Sequence, residues 1–315
     1  MLWVCNGCSQ TEGPDCPRWG LSHPPSTMPS WHPDGRLITF NHLPIAEIVS
    51  SSPECGGGIV RLDWDAAGTY GIFDGQAPTR LLPVMLGTPS WSPAGDRLAY
   101  ELWGDIFTIG FADGSFDTLS VTQLTFGGGN FIPDWSPDGS MIAYERVGCD
   151  ASPPLVDSTA CGVTVMTPSG AGKRPLVSGL YPSWFPDSRR LLYVGLYHDF
   201  FVYDLVDDAT TQLTSFDSPG MDNRYPAVAP NAALIAFASQ LKTGLWNIWL
   251  VEADGTGLRR LTSEGTSTRF CWGPDSEQIL YVNYKASDFT EDNGSLWMIN
   301  VHSGERRRLV HGSLK

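Results

Sequence analysis

The sequence predicts an all-β fold, a six-bladed β-propeller of four-stranded antiparallel blades. Three observations lead there. A motif built on Trp-x-Pro-Asp-Gly occurs in six copies, closed by Pro33, Pro93, Pro137, Pro186, Pro230 and Pro274. Successive copies lie 60, 44, 49, 44 and 44 residues apart, and a period in the forties with β-type content is that of propeller blades. No stretch of the 315 residues sustains a 3.6-residue hydrophobic period, so almost no helix is expected.

Within a copy the elements follow in order. Pro133-Asp134-Trp135-Ser136 is extended, and Pro137-Asp138-Gly139 makes a tight turn from a fixed φ, a short acceptor side chain and a residue tolerant of positive φ. Met141-Ile142-Ala143-Tyr144 then reads as a buried strand. A second hairpin is clearest at Trp246 to Val251, with Asp254-Gly255 as the turn and Leu258 to Thr262 returning; Asp113-Gly114 and Ser303-Gly304 hold the same corner elsewhere. The 34 glycines and 24 prolines are turn punctuation, and Trp31, Trp91, Trp135, Trp184 and Trp272 are expected to pack between blades.

Trp135-Ser136-Pro137-Asp138-Gly139 leading to Ile142-Ala143-Tyr144, with terminal Leu-Thr at 124–125, 213–214 and 261–262, resembles the WD40-like (PD40) repeat of the TolB propeller. The resemblance runs from residue 28 to about 310, with Ala94 in place of the Asp, Val228 of the Trp and Phe270 of the leading Pro. Residues 28–315 are therefore expected to form one propeller. Residues 1–27 are expected to be a separate segment, either half of a seventh blade or a strand that helps close the ring.

Charge narrows the partners. With 34 acidic against 20 basic residues the net charge is −14, which repels phosphate backbones, so no nucleic acid is expected. Nothing in the sequence could span a bilayer. Cys149 and Cys161 bracket an insertion between antiparallel strands and are a disulfide candidate, with the reduced pair as the alternative. Cys5, Cys8, Cys16 and Cys55 suggest a stapled N-terminal segment rather than half a zinc site, and Cys271 reads as a buried free thiol. This usage suits an extracytoplasmic compartment, periplasmic or secreted, although no signal is present.

No nucleophile elbow or phosphate-binding loop occurs, Gly127-Gly128-Gly129 reads as a flexible turn between blades, and the six histidines are scattered, so no catalytic residue, metal or cofactor is expected. Departures from the repeat gather instead at 43–57, 146–161, 215–223 and 285–294, and strand alternation sends all four to one face. The candidate site residues at that channel mouth are Asp134, Tyr181, Asp222, Arg224, Tyr225 and Arg269. They read either as a pocket for an acidic peptide or a carbohydrate, or as groups that merely satisfy one another.

The resemblance implies a monomeric, non-catalytic module that binds a protein or peptide at the mouth, as the TolB propeller docks a peptidoglycan-associated lipoprotein. No counterpart of that family's small N-terminal α/β domain is present, so a TolB-like paralogue is the expected description. The alternative is a propeller enzyme, a lyase or lactonase acting on a sugar derivative with an axial metal.

Overall fold

The computed structural model describes residues 26–43, 45–52, 57–62, 65–148, 161–195, 198–216, 222–240, 245–283 and 294–310. These residues form six four-stranded antiparallel sheets in ring order. Blade 1 comprises β1 (Ser26–Trp31), β2 (Leu37–His42), β5 (Gly68–Phe73) and β6 (Thr79–Leu82); its insertion adds a hairpin of β3 (Ile45–Ser52) and β4 (Gly57–Leu62). Blade 2 comprises β7 (Gly87–Trp91), β8 (Arg97–Leu102), β9 (Asp105–Ala112) and β10 (Ser115–Gln123). Blade 3 comprises β11 (Asn130–Trp135), β12 (Ile142–Arg146), β13 (Gly162–Met166) and β14 (Arg174–Val177). Blade 4 comprises β15 (Leu180–Trp184), β16 (Arg190–Val194), β17 (Phe200–Asp204) and β18 (Ala209–Gln212). Blade 5 comprises β19 (Asn223–Val228), β20 (Leu234–Ser239), β21 (Asn247–Glu252) and β22 (Arg259–Arg260). Blade 6 comprises β23 (Thr266–Trp272), β24 (Gln278–Asn283), β25 (Leu296–Asn300) and β26 (Arg306–Val310).

The ring closes at six, because β1 packs directly on β23 and leaves no place for a seventh blade. Residues 1–25 lie outside the described residues, as do Cys5, Cys8, Cys16, Cys55 and Cys149, so the proposed staples fall there too. Among the described residues there is no α-helix, and no helix is long and apolar enough to cross a membrane.

Each motif residue has a mechanical role. In blade 3 the Ser136 hydroxyl accepts the Met141 N–H at 2.9 Å and donates to Asp138 at 2.6 Å, while Asp138 accepts the Ser140 N–H at 2.9 Å. These bonds satisfy a tight turn that the strands cannot. Blade 2 carries Ala94 where the Asp stands, and Asp96, two residues later, takes the Ser92 hydroxyl at 2.8 Å instead. The Leu-Thr ending pins the outermost strand: Thr125, Thr214 and Thr262 accept the N–H of Ile106, Phe200 and Ile248 at 2.8, 2.9 and 2.9 Å.

The blades are joined along the channel. At three junctions the residue before the motif's Trp position offers a side-chain acceptor to the next blade: Ser90 takes the Trp135 N–H at 3.1 Å, Asp134 the Trp184 N–H at 2.9 Å, and Ser183 the Val228 N–H at 3.2 Å. Cys271 receives the Trp31 N–H and so ties blade 6 to blade 1. The indoles reinforce the ring, with Trp184 Nε1–H donating to Asp134 O at 3.1 Å and Trp272 Nε1–H to Ala227 O at 2.9 Å. Each Trp also belongs to an apolar cluster shared by two blades, as Trp184 does with Ala143, Val163 and Val165 of blade 3 and Leu191 of its own blade. The expected packing role is thus met by apolar burial, with an indole hydrogen bond to the neighbouring blade added at Trp184 and Trp272.

Two outcomes follow for the ring. Asp134 is half-buried in the channel wall, and loss of solvation lifts its carboxyl from 3.8 to about 6, against the Trp184 N–H and Ser90 hydroxyl bonds that lower it. A folded-state value above the unfolded one means that this group stabilises the fold fully below about pH 4, a contribution lost as pH rises to about 6. Asp134→Asn, which keeps the acceptor, is expected to remove that decline when urea unfolding is compared with wild type across the window, whereas Asp134→Ala strands the Trp184 N–H and costs about 1–3 kcal/mol. An identical pH profile for Asp134→Asn would overturn this account. Cys271 is a free thiol that burial pushes up to about 12, so it is expected to resist alkylation in the folded protein at about pH 8 and to react on unfolding, as followed by mass spectrometry.

Candidate functional site

The six innermost strands enclose a central channel of about 440 Å³, walled by their prolines and tryptophans. At its mouth each innermost strand is irregular. In the first five blades three residues span what two span on the partner strand, a bulge placed between Thr27 and Ser30, Gly87 and Ser90, Phe131 and Asp134, Leu180 and Ser183, and Arg224 and Ala227. Its first residue is left-handed, at φ 54° for Met28, 43° for Thr88, 54° for Ile132, 58° for Tyr181 and 53° for Tyr225. A proline follows each one, tolerated because the ladder is interrupted where its N–H is missing. Strain recurring in five blades belongs to the architecture rather than to one site.

Blade 6 departs from this pattern. From Thr266 to Cys271 the strand takes five steps against the three from Asn283 to Leu280, whereas Asn130 to Asp134 takes four against the three from Arg146 to Ala143. Phe270 also stands where the other strands have proline. The extra residue lies in the stretch that carries Arg269, which lines the channel.

The guanidinium of Arg269 lies over the Tyr225 ring, 3.6 Å from its centroid. Tyr225 in turn meets Tyr181 with ring centroids 4.3 Å apart. Desolvation pushes Arg269 below its ordinary value, opposed by electrostatic interaction with Tyr225, Tyr181, Glu145 and Glu101. Those four residues come from blades 5, 4, 3 and 2, so the cation of blade 6 is felt across the whole mouth. A guanidinium stays protonated through such a shift, so Arg269 keeps its charge beside the Glu145 and Glu101 carboxylates with poor access to water. Glu145 is buried, accepts the Tyr181 N–H at 3.1 Å, and has its carboxyl raised by burial against that bond and Arg269. Burial raises Tyr181 as well, with Tyr225 and Glu145 adding to the shift.

Of the sequence-predicted residues, Tyr181, Tyr225 and Arg269 converge at the mouth, and Asp134 lies deeper in the channel wall, where it bridges blades. Asp222 and Arg224 form a bidentate pair, with Nε–Oδ1 and Nη2–Oδ2 distances of 2.9 and 2.6 Å, and His198 Nδ1 lies 3.3 Å from the same carboxylate. Arg224 also stacks over Trp246 at 4.9 Å and is electrostatically coupled to Tyr181 and Tyr225. Glu101 and Glu145 were missed. They close the Ala-Tyr strand in copies two and three, where copies four, five and six carry Val194, Ala238 and Val282, a departure visible in the repeat. Among the described residues no three His, Cys, Asp or Glu side chains are grouped to hold a metal ion.

No protein-family model matches the chain, and no curated protein does. Solved structures do. The putative TolB from Agrobacterium tumefaciens aligns with a TM-score of 0.57 and 21% identity, over 75% of this chain and 83% of that one. TolB from Acinetobacter baumannii gives 0.63 and 15% over 78% of this chain and 60% of its own, so the chain spans less than two thirds of that one. An oligogalacturonate lyase in complex with manganese gives 0.53 and 13%, over 89% and 75%. Identities this low speak for the fold alone, a fold shared by binding proteins and enzymes: the chain is a TolB-like six-bladed β-propeller.

Proposed function

We propose that the protein is a non-catalytic, extracytoplasmic binding module that receives an acidic group of a protein or peptide at the channel mouth. The observation that carries this is the Arg269 guanidinium stacked on Tyr225 beside Tyr181 at the opening of the channel. A fixed cation with reduced access to water binds a carboxylate more strongly than an exposed one, because little water competes for it. Aromatic rings beside an arginine are also the composition of interface hot spots. In a chain of net charge −14 this cation is locally selective, since the surrounding surface repels anions that lack a close fit. The resemblance of the repeat to that of the TolB propeller suggests a protein or peptide as the partner.

A lyase or lactonase with an axial metal needs several donors converging on the axis. The extracytoplasmic assignment rests on cysteine usage, including the proposed Cys149–Cys161 disulfide.

Selection of phage-displayed random peptides on the immobilised chain is expected to enrich Asp- and Glu-containing sequences whose affinity falls as salt rises. Arg224→Ala combined with Arg269→Ala is expected to weaken the selected peptides by about tenfold or more in a variant that still unfolds cooperatively. Arg269→Gln, which keeps much of the side-chain bulk, serves as the second variant should the double substitution disturb the fold. Equal affinity in a folded variant would sink the proposal. Non-reducing peptide mapping of exported protein is expected to recover Cys149 linked to Cys161, and a fully reduced pair would contradict the compartment.

A further inference from the structure

Trp103 is 87% exposed and occupies the first central position of the two-residue turn between β8 and β9. Its φ is +54° and that of Gly104 is +80°, the paired positive angles of a type I′ hairpin turn. The side chains favoured at that first position are Asn and Asp; a bulky residue there is strained. This tryptophan therefore strains the turn and leaves a large apolar ring in water, whereas the motif tryptophans are buried between blades.

Phe126, 73% exposed, lies two residues before Gly128 in the connection from β10 to β11. Both segments reach the face at which the innermost strands begin, since Gly87 at the start of β7 pairs with Glu101 near the end of β8. Their backbones are locked together. The Asn130 N–H donates to Gly104 O at 2.8 Å, the Gly104 N–H donates to Glu101 Oε1 at 2.7 Å, and the Gly128 N–H reaches both carboxylate oxygens of Asp105 at 3.3 Å. A Cβ on Gly104 would stand 3.2 Å from Gly129 N, so the turn sits flush on the glycine-rich connection. That connection, read from sequence as a flexible turn, is instead tied on both sides, its Gly129 O accepting the Val147 N–H at 2.8 Å. Glu101, which holds the Trp103 turn, is also one of the charges that act on Arg269.

We propose that Trp103 and Phe126 form an apolar anchor on the rim of the channel mouth, receiving an aromatic or long aliphatic side chain of the peptide segment whose acidic group Arg269 holds. This rests on the mouth being the peptide-binding face. Charge complementarity selects the occupant: an acidic segment is drawn to the cation, and an apolar residue near its acidic group reaches rigid rings that solvent otherwise wets.

The test uses synthetic copies of the peptides selected on the full chain. Trp103→Asn places a favoured residue in the turn, so unfolding is expected at the same or a higher temperature while peptide affinity drops about tenfold; Phe126→Ser is expected to weaken binding likewise. Replacing the peptide's apolar residue by Ala is expected to lose affinity against wild type and little more against Trp103→Asn, the signature of direct contact. Undiminished affinity in Trp103→Asn, or additive losses, overturns the anchor and leaves the Arg269 site standing. Undiminished affinity in Arg269→Gln overturns the shared segment and the reading beneath it, as does failure of any peptide to bind wild type.

Discussion

The ring depends on one repeated tie, an acceptor in the wall of one blade taking the backbone N–H at the start of the next blade's turn. Ser90, Asp134, Ser183 and Cys271 supply it. A blade cannot bury its faces alone, and packing against its neighbours is what makes it stable. The tie and the indole bonds set the angle at which neighbours meet. Closure then follows when the sixth blade offers Cys271 to Trp31 of the first. Asp134 shows that a carboxylate can serve where serine serves elsewhere, at the cost of desolvation.

This division of labour leaves the mouth free to vary. Where it is present the tie occupies the end of an innermost strand, while in five blades the start is a bulge whose left-handed first residue lines the channel without pairing regularly to its neighbour. Five blades end that bulge with proline, and the sixth inserts a residue and replaces the proline with Phe270. The resulting Arg269 faces Tyr225, Tyr181 and the carboxylates of Glu145 and Glu101. A cation held among rings and acids from four other blades is an arrangement that a closed ring makes possible, because residues distant in sequence share one axis.

Loop chemistry extends the same face. The Trp103 turn and the Phe126 connection are held by Glu101, Asp105 and Asn130, groups that lie on or beside regular strands. Regular strands thus fix the backbones of the loops that carry these two exposed aromatic residues. The hairpin of β3 and β4 rises from the first blade on that face too, since it joins the second strand to the third.

The sequence by itself determined the architecture, because each blade is a local unit whose turn residues, strand pattern and closing Leu-Thr are contiguous in the chain. It also pointed to the mouth, since Tyr181, Tyr225 and Arg269 break a repeat that favours small or apolar residues there. Tertiary structure alone decided which of those residues act together. Asp134 turned out to bridge blades, Asp222 and Arg224 to pair with each other, and Glu145 to face a cation more than a hundred residues away in the chain. The physical reason is that repeat patterns encode contacts within a blade, whereas charge, desolvation and ring stacking at the axis depend on what five other blades bring to the same point.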